Sequence, residues 1–289
     1  MKKTITLIIV CTLALVLLFT GCQRHYKKIS FSTESLGEVL QNKITENTSV
    51  IRSCEFKSPQ SVPMYSISER VLSDDEYNQI LSALNIKEDD PNNFIDRREN
   101  GLLAYRRFNS NTPDYSFTDE ETLRMAEETI DTLPVITGDY ECTGINEYVI
   151  HTDSEDVDHI QQVGVSFRKL VDGTRVVGND IVYLYFDNIG IAGIHIELFE
   201  YKILEDKIDL IPFDSAYARI KSPDSFDLRE ENESIGEIDT LNVEKILLLM
   251  VNQYSNGCTV LQPVYSFSGT ATDVKGERAS FISVIIAVD

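Results

Sequence analysis

Histidine and recognisable catalytic motifs are scarce in this sequence. Only four histidines occur among its 289 residues, and neither a GxSxG nor an HExxH segment is present, nor a glycine-rich loop of the kind that cradles phosphate. His195 lies between two isoleucines of an alternating stretch. Because a lone histidine is not a catalytic site, we expect it to be exposed or paired with a neighbour. The sequence therefore predicts no catalytic residue, no cofactor and no enzyme.

Basic side chains are few relative to acidic ones. The chain has 26 lysines and arginines against 47 aspartates and glutamates, which gives a formal net charge of −21. Binding to nucleic-acid phosphates requires basic patches, so this balance argues against a nucleic-acid partner. The same charge holds the body of the protein away from anionic lipid.

Cysteine is too scattered for a disulfide framework or a zinc site. Of the five cysteines, Cys11 lies in the first apolar segment and Cys22 directly follows it. The other three, Cys54, Cys142 and Cys258, lie far apart, form no CxxC pair and leave an odd count. One disulfide outside the cell and a set of buried free thiols both remain open.

An acidic segment surrounds two of the histidines, His151 and His159. Its carboxylates are Asp153, Glu155, Asp156 and Asp158. Carboxylate oxygens are ligands for calcium, but the segment lacks the glycine turn and the regular ligand spacing of an EF-hand loop. We therefore interpret it as a solvated acidic loop and predict no metal ligand.

The start of the chain has the plan of a secretory signal. Two lysines precede an apolar segment at residues 4–19, and the segment ends in FTGC at residues 19–22. This ending resembles the lipobox of bacterial lipoproteins. In that family the cysteine thiol receives a diacylglycerol and the chain is cut before it. The resemblance implies a signal peptide at residues 1–21, lipidation of Cys22, and a protein anchored on the extracellular side of the cell membrane. The alternative is an uncut membrane anchor, which also places the remainder outside the cytoplasm.

The remaining chain divides into a linker and two ordered regions. Residues 22–62 are polar and weakly periodic and are interpreted as a tether. Residues 63–138 predict an N-terminal α+β unit in which a strand precedes a helix twice. The two predicted helices begin with capping boxes, formed by Ser73 with Glu76 and by Thr118 with Glu121.

Residues 139–289 predict an antiparallel β-rich α+β domain. The stretch FRKLVDGTRVVGNDIVYLYFDNIGIAGIHIELFEYK has tight-turn signals at Asp172-Gly173 and Asp187-Asn188, and so predicts a meander. A short helix in PFDSAYARIKS, an acidic mobile loop over residues 224–237 and three further strands follow. We expect the α+β fold class, with antiparallel β-sheets each packed on one face by helices.

Aromatic side chains alternate at strand spacing in this region. The aromatic residues concerned include Tyr183, Tyr185, Phe199, Tyr201, Tyr265 and Phe267. Most are expected in the core, whereas an exposed few would form a binding face for a peptide or a glycan.

Two passages carry a resemblance to a known family. VDGTRVVGNDIVYLYFDNIGIAGI and VLQPVYSFSGTATDVKGERASFISVIIAV resemble PepSY-like domains and the membrane-tethered regulators of the YycH and YycI type, although Arg175 stands where the family has proline. The matching positions include Gly173, Val176, Gly178, Asp187, Gly190, Leu261, Pro263, Tyr265, Phe267, Gly269 and Ala287. The similarity covers residues 163–289.

That family implies a function without catalysis. Its regulators act outside the cell on a cell-wall sensor kinase of Gram-positive bacteria. The resemblance thus implies a PepSY/YycI-like architecture and a binding or regulatory role towards a sensor kinase or another envelope protein. Two alternatives are an inhibitor of a secreted protease, as PepSY domains in protease propeptides suggest, and an unrecognised envelope hydrolase.

Overall fold

A computed structural model of the chain describes residues 43–99, 101–107, 114–150, 159–178, 180–229, 235–255 and 258–288. These residues divide into two compact units. Unit 1 takes its described residues from Met1–Ile67 and Tyr201–Asp289, and unit 2 from Ser68–Glu200. Within the described residues, no helix is both long and apolar enough to cross a lipid bilayer.

Strands form most of the structure. In chain order the elements are β1 (Ile44–Arg52), β2 (Ser61–Glu69), α1 (Asp74–Ala83), β3 (Asn93–Arg97), β4 (Leu102–Arg107), α2 (Asp119–Thr132), β5 (Tyr140–Ile150), β6 (His159–Val171), β7 (Thr174–Val177), β8 (Ile181–Asp187), β9 (Gly190–Glu197), β10 (Phe199–Asp209), α3 (Phe213–Ala218), β11 (Ser225–Arg229), β12 (Ile238–Ser255), β13 (Cys258–Asp273) and β14 (Arg278–Ile286).

The expected fold class, α+β with antiparallel sheets each packed on one face by helices, is wrong. Of the residues that the structure describes, 57% are in strands and 14% in helices, and the strands form mixed β-sheet. The expectation failed because helix and strand preference is local, whereas strand pairing joins segments far apart in sequence. Two polar segments without clear alternation, Ile44–Arg52 and Ser225–Arg229, become strands by pairing with distant partners.

Unit 1 is built around a long antiparallel pair. β12 and β13 pair from Ile238 with Asp273 to Ser255 with Cys258. β1 pairs in parallel with β12, while β14 pairs with the edge of β13 opposite β12, and β11 pairs with β14. β14 thus lies between two neighbouring strands. The expected mobile loop over residues 224–237 is wrong for Ser225–Arg229, which form β11.

The core of unit 1 combines aliphatic side chains with a cluster of aromatic ones. Tyr265 and Phe267 on β13 are fully buried and contact Phe213 of α3, with ring centroids 6.0 and 6.1 Å apart. Tyr217 of α3 completes the cluster against Phe267 at 6.1 Å. The predicted short helix is therefore confirmed, and its apolar side chains pack on the sheet. Such ring pairs add to the free energy gained from area burial alone.

Unit 2 contains a six-stranded antiparallel sheet in the order β5-β6-β8-β9-β4-β3. The predicted meander is confirmed as β6, β8 and β9. The β6–β7 hairpin turns at Asp172 and Gly173, whose φ angles of +48° and +72° match the tight turn that twisted hairpins favour. The turn predicted after Asp187 is also confirmed, because Asp187 pairs with Gly190.

Two capped helices pack against one face of the unit 2 sheet. Both predicted capping boxes are present: the Ser73 and Thr118 side chains accept from the Glu76 and Glu121 amides, and the glutamates accept in return. Each reciprocal pair satisfies two backbone N–H groups at the start of the helix, and so fixes where the extended segment stops and the helix begins. Buried residues of both helices join buried strand residues in one core; among them are Tyr77, Ile80, Ala126, Leu103, Val165, Leu184 and Ile194.

Candidate functional site

The two faces of the unit 2 sheet differ in what they present. Side chains alternate between faces along a strand, so the residues next to Leu103, Leu184 and Ile194 point away from the helices. We call this second side the open face. It carries Phe94, Ala104, Arg106, Gly164, Tyr183, Tyr185, Gly193 and His195. Phe94 is 53% exposed there.

Strand register aligns these residues in rows. Phe94, Arg106, Gly193, Tyr185 and Gly164 are successive partners across β3, β4, β9, β8 and β6. Tyr185 therefore has glycine as its cross-strand partner on both sides. Without side chains on either neighbour, its ring has room to lie along the sheet instead of standing away from it.

The Tyr185 ring lies close to the backbone of Gly193. A Cβ atom at this position would lie 3.0 Å from the Tyr105 carbonyl oxygen and 3.2 Å from Cδ2 of Tyr185. Real Cβ atoms rarely come so close to other atoms, so a larger residue at 193 would displace the Tyr185 ring. A glycine inside a strand commonly marks such a close approach.

A groove of about 410 Å³ runs across the open face beside Tyr185. It is lined by Phe94, Ala104, Tyr105, Arg106, Gln162, Tyr185, Ala192, Gly193, Ile194 and His195. The volume lies within the range of about 300–1,000 Å³ that is typical of ligand sites. Most lining atoms are apolar, and a few polar side chains stand among them, as in most binding pockets.

Aromatic contacts extend the open face beyond the groove. The Tyr183 and Tyr185 rings are stacked with centroids 6.4 Å apart, and Tyr183 meets the His195 ring edge-on at 6.1 Å. Nε2 of His195 lies 3.2 Å from Oε1 of Glu197. The expectation that His195 is exposed or paired with a neighbour is confirmed, since it is half-buried and contacts Glu197.

The formal charge of the described groove lining is positive, whereas the net charge of the chain is negative. Among the residues that the structure describes, Arg106 is the formally charged one that lines the groove, and no described carboxylate does so. Carboxylates do lie elsewhere on the open face, and among the described residues they include Asp96, Glu197 and Glu141, the last of which is bound by Arg175 at 2.8 Å. Asp96 is bound by Arg98 at 2.8 Å, and Glu197 contacts His195. An anionic ligand in the groove would thus meet a guanidinium and no lining carboxylate.

A separate polar cluster, formed around the buried Asp180, lies at the other end of the sheet. The Tyr140 hydroxyl donates to Oδ1 of Asp180 at 2.7 Å, and Asp180 is buried. Nζ of Lys169 lies 4.7 Å above the Tyr140 ring and donates to the Thr137 carbonyl. Burial, followed by the nearby Asp180 charge, raises the pKa of Tyr140 well above its ordinary value, and burial lowers the pKa of Lys169. Each polar atom named has a partner within the chain, so this cluster has a structural role.

Several residues that the sequence singled out lie outside the described part of the chain. Cys22 and its lipobox belong to this group, as do His151 and the acidic residues up to Asp158. Within the described residues, no group of three or more histidine, cysteine or acidic side chains is arranged to hold a metal ion.

The other predicted features have definite positions. Cys54, Cys142 and Cys258 are free thiols in the structure, and each is half-buried rather than buried. Burial raises the pKa of the Cys142 thiol. Of the alternating aromatic residues, Tyr265 and Phe267 lie in the core of unit 1, whereas Tyr183 and Tyr185 lie on the open face. Phe199 and Tyr201 are half-buried, as Tyr183 and Tyr185 are, so none of the six named aromatic residues is fully exposed.

Reasoning from the sequence missed the residues that make the groove. Phe94, Arg106 and Gln162 come from three strands, and nothing in their local sequence indicates that they meet. Gly193 did carry a signal, because an isolated glycine inside an apolar strand suggests that something approaches the backbone closely.

Comparison with known proteins identifies no relative: no protein-family model matches the chain, and no curated protein matches it significantly. The resemblance of residues 163–289 to PepSY-like domains and to YycH- and YycI-type regulators stays a prediction.

Proposed function

We propose that this protein is a lipid-anchored extracytoplasmic binding or regulatory protein that acts by contact with another envelope protein. Its membrane attachment is through a lipid on Cys22, on the outer face of a Gram-positive-type membrane. Its partner is a membrane sensor kinase or a neighbouring envelope protein, as the resemblance of the C-terminal region implies.

The observation that carries the binding role is the groove on the open face of unit 2. An exposed Phe94, a Tyr185 ring lying against Gly193 and the Arg106 guanidinium share one surface. Aromatic residues and arginine are the residue types enriched where proteins bind one another. The anchoring role is supported by the lipobox-like FTGC after the first apolar segment.

Metabolic labelling with palmitate tests the anchor. Cys22→Ala is expected to abolish labelling and to release the protein from the membrane fraction, because the acylated thiol is lost. Cys54→Ala is the matched control and is expected to label as the wild type does, since Cys54 is a free thiol in the folded part of the chain. Persistent labelling of Cys22→Ala would remove lipidation from the proposal.

Photo-crosslinking in intact cells tests the binding role. Benzoylphenylalanine at position 94, which lines the groove, is expected to capture one envelope protein. The control site is position 71, whose valine is 61% exposed in the same unit and does not line the groove. Capture of a kinase ectodomain or another envelope protein at 94 alone supports the proposal. Equal yields at both sites, or none at 94, contradict it, and capture of a secreted protease would favour the inhibitor alternative.

A further inference from the structure

We propose that the groove on the open face binds an extended segment of the partner protein, about six residues long, in which a carboxylate lies beside an apolar side chain. This inference rests on the proposed function and specifies which kind of segment of the partner the groove binds. It follows from the length of the groove, from the charge of its lining and from the small number of polar side chains along it.

The length of the groove suits an extended chain. The lining crosses five neighbouring strands, from Gln162 on β6 to Phe94 on β3. Four steps of about 4.8 Å between strands make about 19 Å. An extended polypeptide advances about 3.3 Å per residue, so about six residues cover that distance. A linear ligand therefore matches the groove better than a compact one does.

The charge of the lining selects a carboxylate. The chain carries a net charge of −21, yet the described residues that line the groove include Arg106 and no acidic side chain. A guanidinium presents five N–H donors in a planar fork that matches a carboxylate, so it can bind an anion in addition to another contact. Described acidic residues elsewhere on this face have partners of their own: Asp96 is bound by Arg98, Glu197 contacts His195, and Glu141 is bound by Arg175. Local attraction at Arg106 is therefore not opposed by a carboxylate in the groove.

The apolar lining favours a peptide over a sugar polymer. Phe94, Ala104 and Gly193 offer carbon atoms to the ligand, whereas Arg106, Gln162 and His195 supply most of the polar side-chain atoms. Every ring of a glycan carries hydroxyl groups, and each buried hydroxyl without a partner is costly. A peptide whose alternate side chains are apolar loses few hydrogen bonds on entering such a groove.

Selection from a random heptapeptide library tests the ligand class. The library, displayed on phage, is panned against the full chain held in detergent micelles. We expect the enriched peptides to place Asp or Glu next to Leu, Ile, Phe or Tyr. The most enriched peptide, labelled with fluorescein, then gives a Kd by fluorescence anisotropy for the wild type and for each variant.

Two variants and a matched control locate the binding. Arg106→Gln is expected to raise the Kd about tenfold, because it removes a charge-assisted contact. Ala104→Leu fills the groove and is expected to raise the Kd by at least about tenfold. Arg124→Gln removes the same charge in unit 2 but on α2, where Arg124 contacts Glu128, and is expected to leave the Kd within about twofold. If Ala104→Leu does not fold, Phe94→Ser replaces it, because Phe94 is half exposed.

Several outcomes overturn the inference. Enrichment of basic peptides, an unchanged Kd in Arg106→Gln, or unchanged binding in a folded groove variant would each do so. So would failure to select any peptide, whether the groove then proves to hold a second copy of the chain or a sugar polymer. If position 94 still captures an envelope protein in cells while no peptide is selected, the proposed function stands and this inference alone falls.

Discussion

The two units contain almost the same short motif with opposite results. In unit 1, Tyr265-Ser266-Phe267 turns both aromatic rings into the core, where neither is exposed. In unit 2, Tyr183-Leu184-Tyr185 turns both rings to the open face and buries Leu184 instead. Alternation is the same in both strands, but the phase differs. An aromatic residue at strand spacing thus identifies a strand, and its neighbours in sequence decide which face it takes.

The residues between the rings explain the phase. The apolar residues of β8 are Ile181, Val182, Leu184 and Phe186, and the set that includes Leu184 packs against the helices. The tyrosines are left for the other face, where their hydroxyl groups tolerate water. In β13 the residue between the rings is serine, so the aromatic side chains are the apolar set. They pack on Phe213 and Tyr217 of α3.

The largest loss of stability is expected from a substitution in the buried Tyr265-Ser266-Phe267 motif. Phe267→Ala is expected to lower the free energy of unfolding by about 4 kcal/mol, because it removes a fully buried ring and leaves a cavity. Tyr183→Ala removes a half-exposed ring and is expected to cost about 1 kcal/mol. Urea unfolding followed by circular dichroism measures both. Similar losses at the two positions would show that the open face is packed as tightly as the core.

Buried tyrosine hydroxyl groups give a second comparison of the units. In unit 2, Tyr140 donates to the Asp180 carboxylate at 2.7 Å. In unit 1, the Tyr265 hydroxyl contacts Oγ of Ser58 at 2.6 Å, which is a neutral partner. Hydrogen bonds to charged groups are the stronger ones, so Tyr140→Phe is expected to cost about 2 kcal/mol and Tyr265→Phe about 1 kcal/mol. The same urea titrations compare them, and a larger loss for Tyr265→Phe would contradict this order.

The raised pKa of Tyr140 predicts that the stability of the fold depends on pH. Burial and the Asp180 charge raise the pKa of Tyr140 in the folded chain, whereas in the unfolded chain it ionises near pH 10. The unfolded state therefore loses its proton first, and stability falls as the pH rises above about 10. Tyr140→Phe is expected to reduce this fall without abolishing it, because burial also raises the pKa of Tyr77, Tyr105 and Tyr115.

Local features of the fold were predictable from the sequence, and long-range ones were not. The capping boxes at Ser73 and Thr118 and the turn at Asp172 are set within four residues, so their signals are complete in the sequence. The parallel pairing of Ile44 with Ile238 joins segments almost two hundred positions apart and has no local signature. The fold class failed for the same reason.

The candidate site shows the same limit. A few solvent-accessible aromatic residues were expected, but the sequence did not indicate which ones. Whether the ring of Tyr183 or that of Tyr265 reaches solvent depends on which face of each sheet the helices cover. Arg106 and Gln162 line the same groove only because β4 and β6 lie on either side of the β8–β9 pair. Position on a shared face is a property of the assembled sheet, so no single segment could indicate it.

Each unit also closes a hairpin with an aspartate, which allows a smaller comparison. In unit 1, Oδ1 of Asp273 accepts from the Lys275 and Glu277 amides and Oδ2 accepts from the Gly236 amide. These hydrogen bonds, that from Gly236 first, hold the pKa of Asp273 below its ordinary value. In unit 2, Asp187 accepts from the Ile189 amide in the same way.

Asp273→Asn should destabilise unit 1 in a pH-dependent way. An asparagine has one acceptor oxygen, so at least one of the three amides loses its partner and the melting temperature at pH 7 falls. A lowered folded-state pKa stabilises the protein above the unfolded pKa of about 4, and this contribution disappears as the pH falls through the folded value. The difference in melting temperature between wild type and variant should therefore shrink on acidification. A difference that stays constant from pH 7 to pH 2 would contradict this origin.

The smallest effect is expected at an ion pair that belongs to neither face of the sheet. Arg124 and Glu128 lie one turn apart on α2, with 63% and 64% of their side chains exposed, and their atoms are 2.8 Å apart. Water screens such a pair and the two flexible side chains lose entropy in forming it, so Arg124→Gln should change the free energy of unfolding by no more than about 0.5 kcal/mol. Urea unfolding at low and at 1 M salt gives the measurement. A larger loss that disappears at 1 M salt would show that surface charge on α2 contributes to the stability of unit 2. Apolar packing alone would then not explain why the helices cover one face of the sheet and leave the other open.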